Sequence, residues 1–147
     1  VIAIRELKDQ TEMGLVLPAL LTLDQYYPNI GDWFERKVLS DTTGSSIAIG
    51  AFESDTLVGF LLGKRGGESK LRCVRVAESH QNSGLGLKLL ERGMDLLECE
   101  QPLVTVSEEL LGQYSRIFVN RYGYSLDQVV KGAYRRGKLE YVFNGAL

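Results

Sequence analysis

Apolar and charged residues alternate from Ile2 to Leu7, with Ile2 and Ile4 set against Arg5 and Lys8, and this period of two predicts a first strand. From Thr11 to Leu23 the apolar positions fall at helical spacing, with Thr11 as the expected N-cap. Pro28, Asn29 and Gly31 end that helix, and Asp32 is placed to cap a second one through Trp33, Phe34, Val38 and Leu39. Two apolar, β-branched runs follow, Ser45 to Phe52 and Leu57 to Gly63, joined as an antiparallel pair by a turn over Glu53 to Thr56. Paired glycines at 66 and 67 lead into a third strand, Lys70 to Val76.

The period then changes. From Gly84 to Glu100, Lys88, Glu91, Arg92, Asp95 and Glu98 form one polar stripe, while Leu85, Leu89, Leu90, Met94 and Leu97 fill the rest, the pattern of an amphipathic helix. Pro102 breaks it, Leu103 to Ser107 reads as a short strand, and Gln113 to Tyr122 reads as a helix ending at Gly123. Tyr124 to Tyr134 and Lys138 to Phe143 then make a closing hairpin around Arg135, Arg136 and Gly137. The order β, α, α, β, β, β, α, β, α, β, β predicts an α/β protein with a mixed sheet and helices on its faces. The central meander excludes a purely doubly wound parallel fold.

Composition sharpens this picture in a few places. At 147 residues the chain fits one domain, residues 1–147, with no staple needed. Seventeen Lys and Arg against nineteen Asp and Glu give a net charge of −2, which argues against a general electrostatic grip on nucleic acid. The local basic hairpin Lys131 to Lys138 leaves a nucleic-acid or acidic partner open, against the plainer reading of a solvated edge turn. Apolar runs such as Gly14 to Leu23 are too short for a bilayer, so no membrane partner and a cytoplasmic location are expected. Cys73 and Cys99 match no metal or redox spacing and read as reduced core thiols, and no metal is expected. A start on Val1 rather than Met suggests a chain that is processed, trimmed or excised from a longer protein.

The candidate chemistry lies where the third strand ends, in Val76-Ala77-Glu78-Ser79-His80-Gln81-Asn82-Ser83-Gly84-Leu85-Gly86. A polar loop there opens a long helix, whose first-turn N–H groups and dipole favour an anion, and glycines at 84 and 86 allow phosphates to come close. Leu89 stands where a dinucleotide fingerprint wants its third glycine, and no P-loop GK[ST] is present. His80, the only histidine, has no nucleophile partner in view and reads as a loop side chain packed on its neighbours.

This loop resembles the pyrophosphate-binding motif of the GNAT superfamily of acyl-CoA-dependent N-acetyltransferases: Gln or Arg, two residues, Gly, one residue, Gly or Ala. Gln81, Gly84 and Gly86 fill its specified positions. The element order is similar along nearly the whole chain. The resemblance implies a GNAT fold, with a mostly antiparallel sheet of about seven strands, splayed at the acyl-CoA site, and about four helices. It implies acetyl-CoA as cosubstrate, with the loop residues Gln81, Asn82, Ser83, Gly84, Leu85, Gly86 and Leu87 at its pyrophosphate. Val74 and Val76 would hold the pantetheine arm against Leu103 to Ser107, and the acceptor would be an amine on a small molecule, a protein or an aminoacyl-tRNA. A homodimer is compatible with it.

Acyl transfer needs a neutral amine, an oxyanion donor and an exit for the thiolate. Many relatives carry a glutamate base on the strand before the motif; here Arg72 and Arg75 stand there, and Glu108 and Glu109 are the nearest acidic candidates. They compete with a reading as a solvated pair capping the next helix. The family's acid is a tyrosine four residues before the Gly-Phe or Gly-Tyr pair, and counting back from Gly123-Tyr124 finds Val119. Helical spacing puts Ser115 and Tyr122 on the face of Val119 and turns Tyr114 about 140° away, so Tyr122, then Ser115, become the expected partners of the leaving thiolate. The alternative is a catalytically weakened GNAT domain, serving as an acyl-CoA sensor or interaction module.

Overall fold

The computed structural model describes all 147 residues. The N-terminal alternation forms β1 (Ile2–Glu6), and the next three strands are β2 (Ser46–Glu53), β3 (Thr56–Lys64) and β4 (Lys70–Val76). These pair antiparallel in the order β1-β2-β3-β4. Glu53 pairs with Thr56, so the expected four-residue turn is a two-residue one, with Ser54 at φ 54°. The remaining strands, β5 (Val104–Ser107), β6 (Leu126–Lys131) and β7 (Leu139–Phe143), form a second antiparallel sheet ordered β5-β7-β6. The mixed α/β architecture implied by the family resemblance is present.

The helices depart from the sequence reading in instructive ways. Pro18 cannot donate to a preceding turn, and the helix expected from Thr11 to Leu23 divides into α1 (Gln10–Gly14) and α2 (Leu17–Leu21), with Pro18 in the first turn of α2. The cap of α1 is Asp9 rather than Thr11, its carboxylate accepting from the Glu12 N–H at 2.8 Å. Asp32 lies inside the first turn of α3 (Ile30–Phe34), which starts from Asn29 at φ 64°. Both α3 and α5 (Leu111–Ser115) run on as π-helical turns, over Glu35–Leu39 and Arg116–Arg121. The long amphipathic helix is α4 (Leu85–Leu97), stopped by Glu98 at φ 53°.

β2 and β3 are buried on both faces, which is why they read as continuous apolar runs rather than alternating ones. Leu61 packs on one side with Leu89, Leu90, Phe118 and Phe143; Phe60 and Leu62 pack on the other with Leu20 and Phe34. α4 lies tight on the first of these faces, because a Cβ at Gly93 would sit 2.9 Å from Leu61. Cys73 and Cys99 are free thiols, and burial pushes the Cys73 thiol up to about 12. No helix is long and apolar enough to cross a membrane.

The two sheets meet along a single seam. β4 and β5 run parallel and touch at one end only, where Leu71 N–H donates to the Leu103 carbonyl and Leu103 N–H to the Ser69 carbonyl, both at 2.9 Å. Beyond that point the strands diverge and leave a gap.

Candidate active site

The gap is lined by backbone groups that no strand uses. Ala77 N–H donates to Val58 on β3 at 2.8 Å, and an antiparallel pair exchanges such bonds at alternate residues. Val74 and Val76 therefore turn their N–H and C=O groups away from β3 and into the gap. Side chains come to the two carbonyls: Gln81 Nε2 donates to Val76 at 3.1 Å, and Tyr114 Oη donates to Val74 at 3.3 Å.

At its wide end the gap opens onto the start of α4. The amide N–H groups of residues 82–87 find no acceptor in the protein, the first being free until Lys88 closes on Gly84 at 3.2 Å. Gly84 takes φ 83°, which favours glycine, and a Cβ there would meet nothing within 4 Å. A Cβ at Gly86 would meet only Val76 Cγ2, at 3.8 Å. Packing demands neither glycine, in contrast to Gly93. Both instead line a cavity of about 450 Å³ with Val74, Val76, Gln81, Asn82 and Leu87. A row of free donors at a helix start, joined to a strand edge, fits a pyrophosphate carrying an amide-bearing arm. Of the remaining loop residues, Ser83 ties back to the His80 carbonyl and Leu85 is buried in the core. His80 is held between Ser79 Oγ at 2.7 Å and Glu53 at 3.1 Å, an anchor for the loop.

The expected catalytic residues are scattered by comparison. Glu109 is gripped by Arg135 at 2.6 and 2.7 Å, which holds its carboxyl down at about 2. Glu108 accepts from the Leu139 N–H at 2.7 Å, so both carboxylates fasten the β6–β7 hairpin and neither lines a cavity of the gap. Tyr122 packs beside Tyr124, its hydroxyl buried without a partner, and Ser115 also stands off the gap. Val119 points outward and is 44% exposed. The choice of Tyr122 and Ser115 took this position to face the gap, whereas it lies on the outer side of the π-helical segment Arg116–Arg121. The inward residue is Phe118, 1% exposed, and Tyr114 stacks on it with ring centroids 5.6 Å apart. Tyr114 thus lies on the gap because it is opposite Val119. Burial raises its phenol above the ordinary value.

A second pair was invisible in the sequence. Glu140, on β7, is 3% exposed, and its carboxylate accepts from Tyr27 Oη at 3.1 Å. Desolvation raises the Glu140 carboxyl, against hydrogen bonds from Thr105 and Tyr27 that lower it. Tyr27 and Thr105 in turn line a cavity of about 320 Å³ on the narrow side of the gap, under the edge-on contact of Tyr27 with Tyr134.

The description "Acetyltransferase (GNAT) family" matches residues 10–123. The chain belongs to this family of acyl-CoA-dependent N-acetyltransferases. No curated protein is a significant sequence match to it. Among solved structures it is similar to Arabidopsis thaliana NAA60 in complex with a bisubstrate analogue (14% identity, TM-score 0.75, 99% of this chain and 100% of that one). It is also similar to the ribosomal-protein-S18-alanine N-acetyltransferase of Escherichia coli (14%, 0.73, 97% and 92%). A third is the PaiA N-acetyltransferase of Thermoplasma acidophilum in complex with coenzyme A (17%, 0.68, 97% and 98%). In this GNAT chain the seam has two approaches, a donor-rich one at α4 and a carboxylate-backed one at Tyr27, with Tyr114 between them.

Proposed function

We propose that this protein, acting as one N-acetyltransferase domain, moves the acetyl group of acetyl-CoA onto the primary amine of an acceptor. The observation that carries the reading is the continuity of the β4–β5 gap with the free amides of residues 82–87. Loop residues Gln81 to Leu87 would hold the pyrophosphate and the backbone of Val74 and Val76 the arm, with the thioester delivered beside Tyr114. The acceptor enters from the Tyr27 side. Its nitrogen forms the new N–C bond as the C–S bond breaks; the ammonium proton goes to Glu140, through Tyr27 or a water, and the thiolate leaves beside the Tyr114 hydroxyl. A backbone N–H of the Val74–Val76 edge is aimed to receive the oxyanion. A carboxyl raised by burial suits a base working near neutral pH, and a phenol raised by burial stays protonated as a donor.

The test is a thiol-release assay with acetyl-CoA and a panel of small amines, peptides with free N-termini and aminoacyl-tRNA, paired with calorimetry of CoA. Release of CoA that depends on the amine supports the transferase. Tight CoA binding with no amine-dependent release across the panel would favour the sensor reading, against which Tyr114 and Glu140 already weigh.

A further inference from the structure

Arg72, on β4, is a half-buried guanidinium with nothing to hold. Its Nη1 is buried without a hydrogen-bond partner, and the protein offers it no ion pair. Asp41 is the acid whose field reaches it, but both Asp41 oxygens are already engaged, by Thr43 and by Ser45 and Ser46. Trp33 covers the guanidinium carbon at 5.5 Å from the ring centroid. The neighbouring cation Lys70 is 3.7 Å from Glu68. A half-buried cation without an ion pair is stabilised when an anion comes to pair with it, and the planar guanidinium fork suits a carboxylate.

The place of this group gives it meaning. Arg72 lines the same cavity of about 320 Å³ as Tyr27, whose hydroxyl is bonded to the buried Glu140 carboxylate. A cation and a carboxylate-backed phenol thus border one chamber, whose other walls include the apolar Pro28, Ile30 and Leu103. We propose that Arg72 is an anion clamp in the acceptor site and that the acceptor is an amino-acid-type zwitterion with an apolar side chain. Its carboxylate lies on Arg72, its amine faces the Tyr27–Glu140 pair, and its side chain rests on the apolar wall. The assignment of this chamber to the acceptor rests on the acetyltransferase reading; the carboxylate clamp itself does not.

Trp33 is the single tryptophan of the chain and covers the guanidinium, so its emission reports on this spot directly. The protein is titrated with leucine, leucinamide and isopentylamine, which share the apolar body and differ in the carboxylate. Leucine is expected to bind roughly 10- to 100-fold more tightly than either, the range of a charged hydrogen-bonded contact. Arg72→Gln is expected to abolish that difference, and Arg72→Lys to keep part of it, since the charge survives without the fork. Circular dichroism checks that each variant is folded. The kcat/KM ratio of leucine to isopentylamine in thiol release should follow the same order. Equal binding of the three compounds to the wild type, or a leucine preference that persists in Arg72→Gln, overturns the clamp. A leucine preference without thiol release from leucine or from any amine of the wider panel keeps the clamp and overturns the transferase.

Discussion

Replacing Tyr114 by Phe removes one oxygen and leaves the ring stacked on Phe118. The bond lost to the Val74 carbonyl is long and neutral, 3.3 Å, and borders a cavity that water can enter, so the stability cost should be about 1 kcal/mol or less. The rate should suffer more. A thiol with a pKa of about 8.5 can leave without a proton, so the phenol assists mainly by hydrogen bonding, and a loss of roughly 10- to 100-fold in kcat is expected. That corresponds to about 1.4 to 2.7 kcal/mol of barrier. Steady-state thiol release at saturating acetyl-CoA and amine measures it, with calorimetry confirming near-unchanged CoA affinity. Tyr122→Phe and Ser115→Ala are the controls, expected within about twofold of wild type because neither side chain lines the gap. Wild-type kcat in Tyr114→Phe, or an equal fall in Tyr122→Phe, refutes the assignment.

Gly86→Val should weaken CoA binding by at least about tenfold in calorimetry while leaving the thermal midpoint nearly unchanged, since the new side chain enters the cavity rather than the core. Gly93→Ala should do the opposite: its Cβ meets Leu61 at 2.9 Å, and denaturant titration should record a loss of about 1–3 kcal/mol. Glu140→Gln should lower kcat by about 10²- to 10⁴-fold. The wild-type rate should rise with pH through a carboxyl pKa above the ordinary value, because the base acts deprotonated, and an unchanged pH profile in the variant would remove Glu140 from the mechanism. Glu109, held at about 2 by Arg135, stabilises the hairpin fully above its unfolded value near 4.5 and loses that contribution as pH falls through about 2. Urea midpoints should therefore drop in acid less steeply for Glu109→Gln than for the wild type.

The parts that the sequence made legible are those whose signals are local. The meander and α4 declare themselves by period, and the loop before α4 by two glycines at fixed spacing with a glutamine. Glu140 and Tyr27 meet across 113 residues, and nothing in either neighbourhood announces the other. A charged residue inside the apolar run Leu139 to Phe143 was the one available hint. Tyr114 was misjudged for a different reason: the helical count set it opposite Val119, as it is, but took Val119 to face the gap, whereas the inward side is fixed by Phe118 packing on Phe143 from a distant strand. Glu108 and Glu109 drew attention by lying next to the right strand, yet Arg135 and the Leu139 amide had prior claim on them.

The seam that closes at Leu71 and Leu103 and opens beyond them leaves two strand edges facing each other inside one chain. Edges elsewhere on a protein attract foreign strands; these are sheltered and can be bridged only by something slender that carries its own amides. A bound acyl carrier of that kind completes the sheet, and the folded state gains RT ln(1 + [L]/Kd), about 2.7 kcal/mol at a hundredfold excess over Kd. If acetyl-CoA is that carrier, resistance to local opening, and with it survival against proteases, would rise with the supply of the acyl donor and fall as the donor runs short.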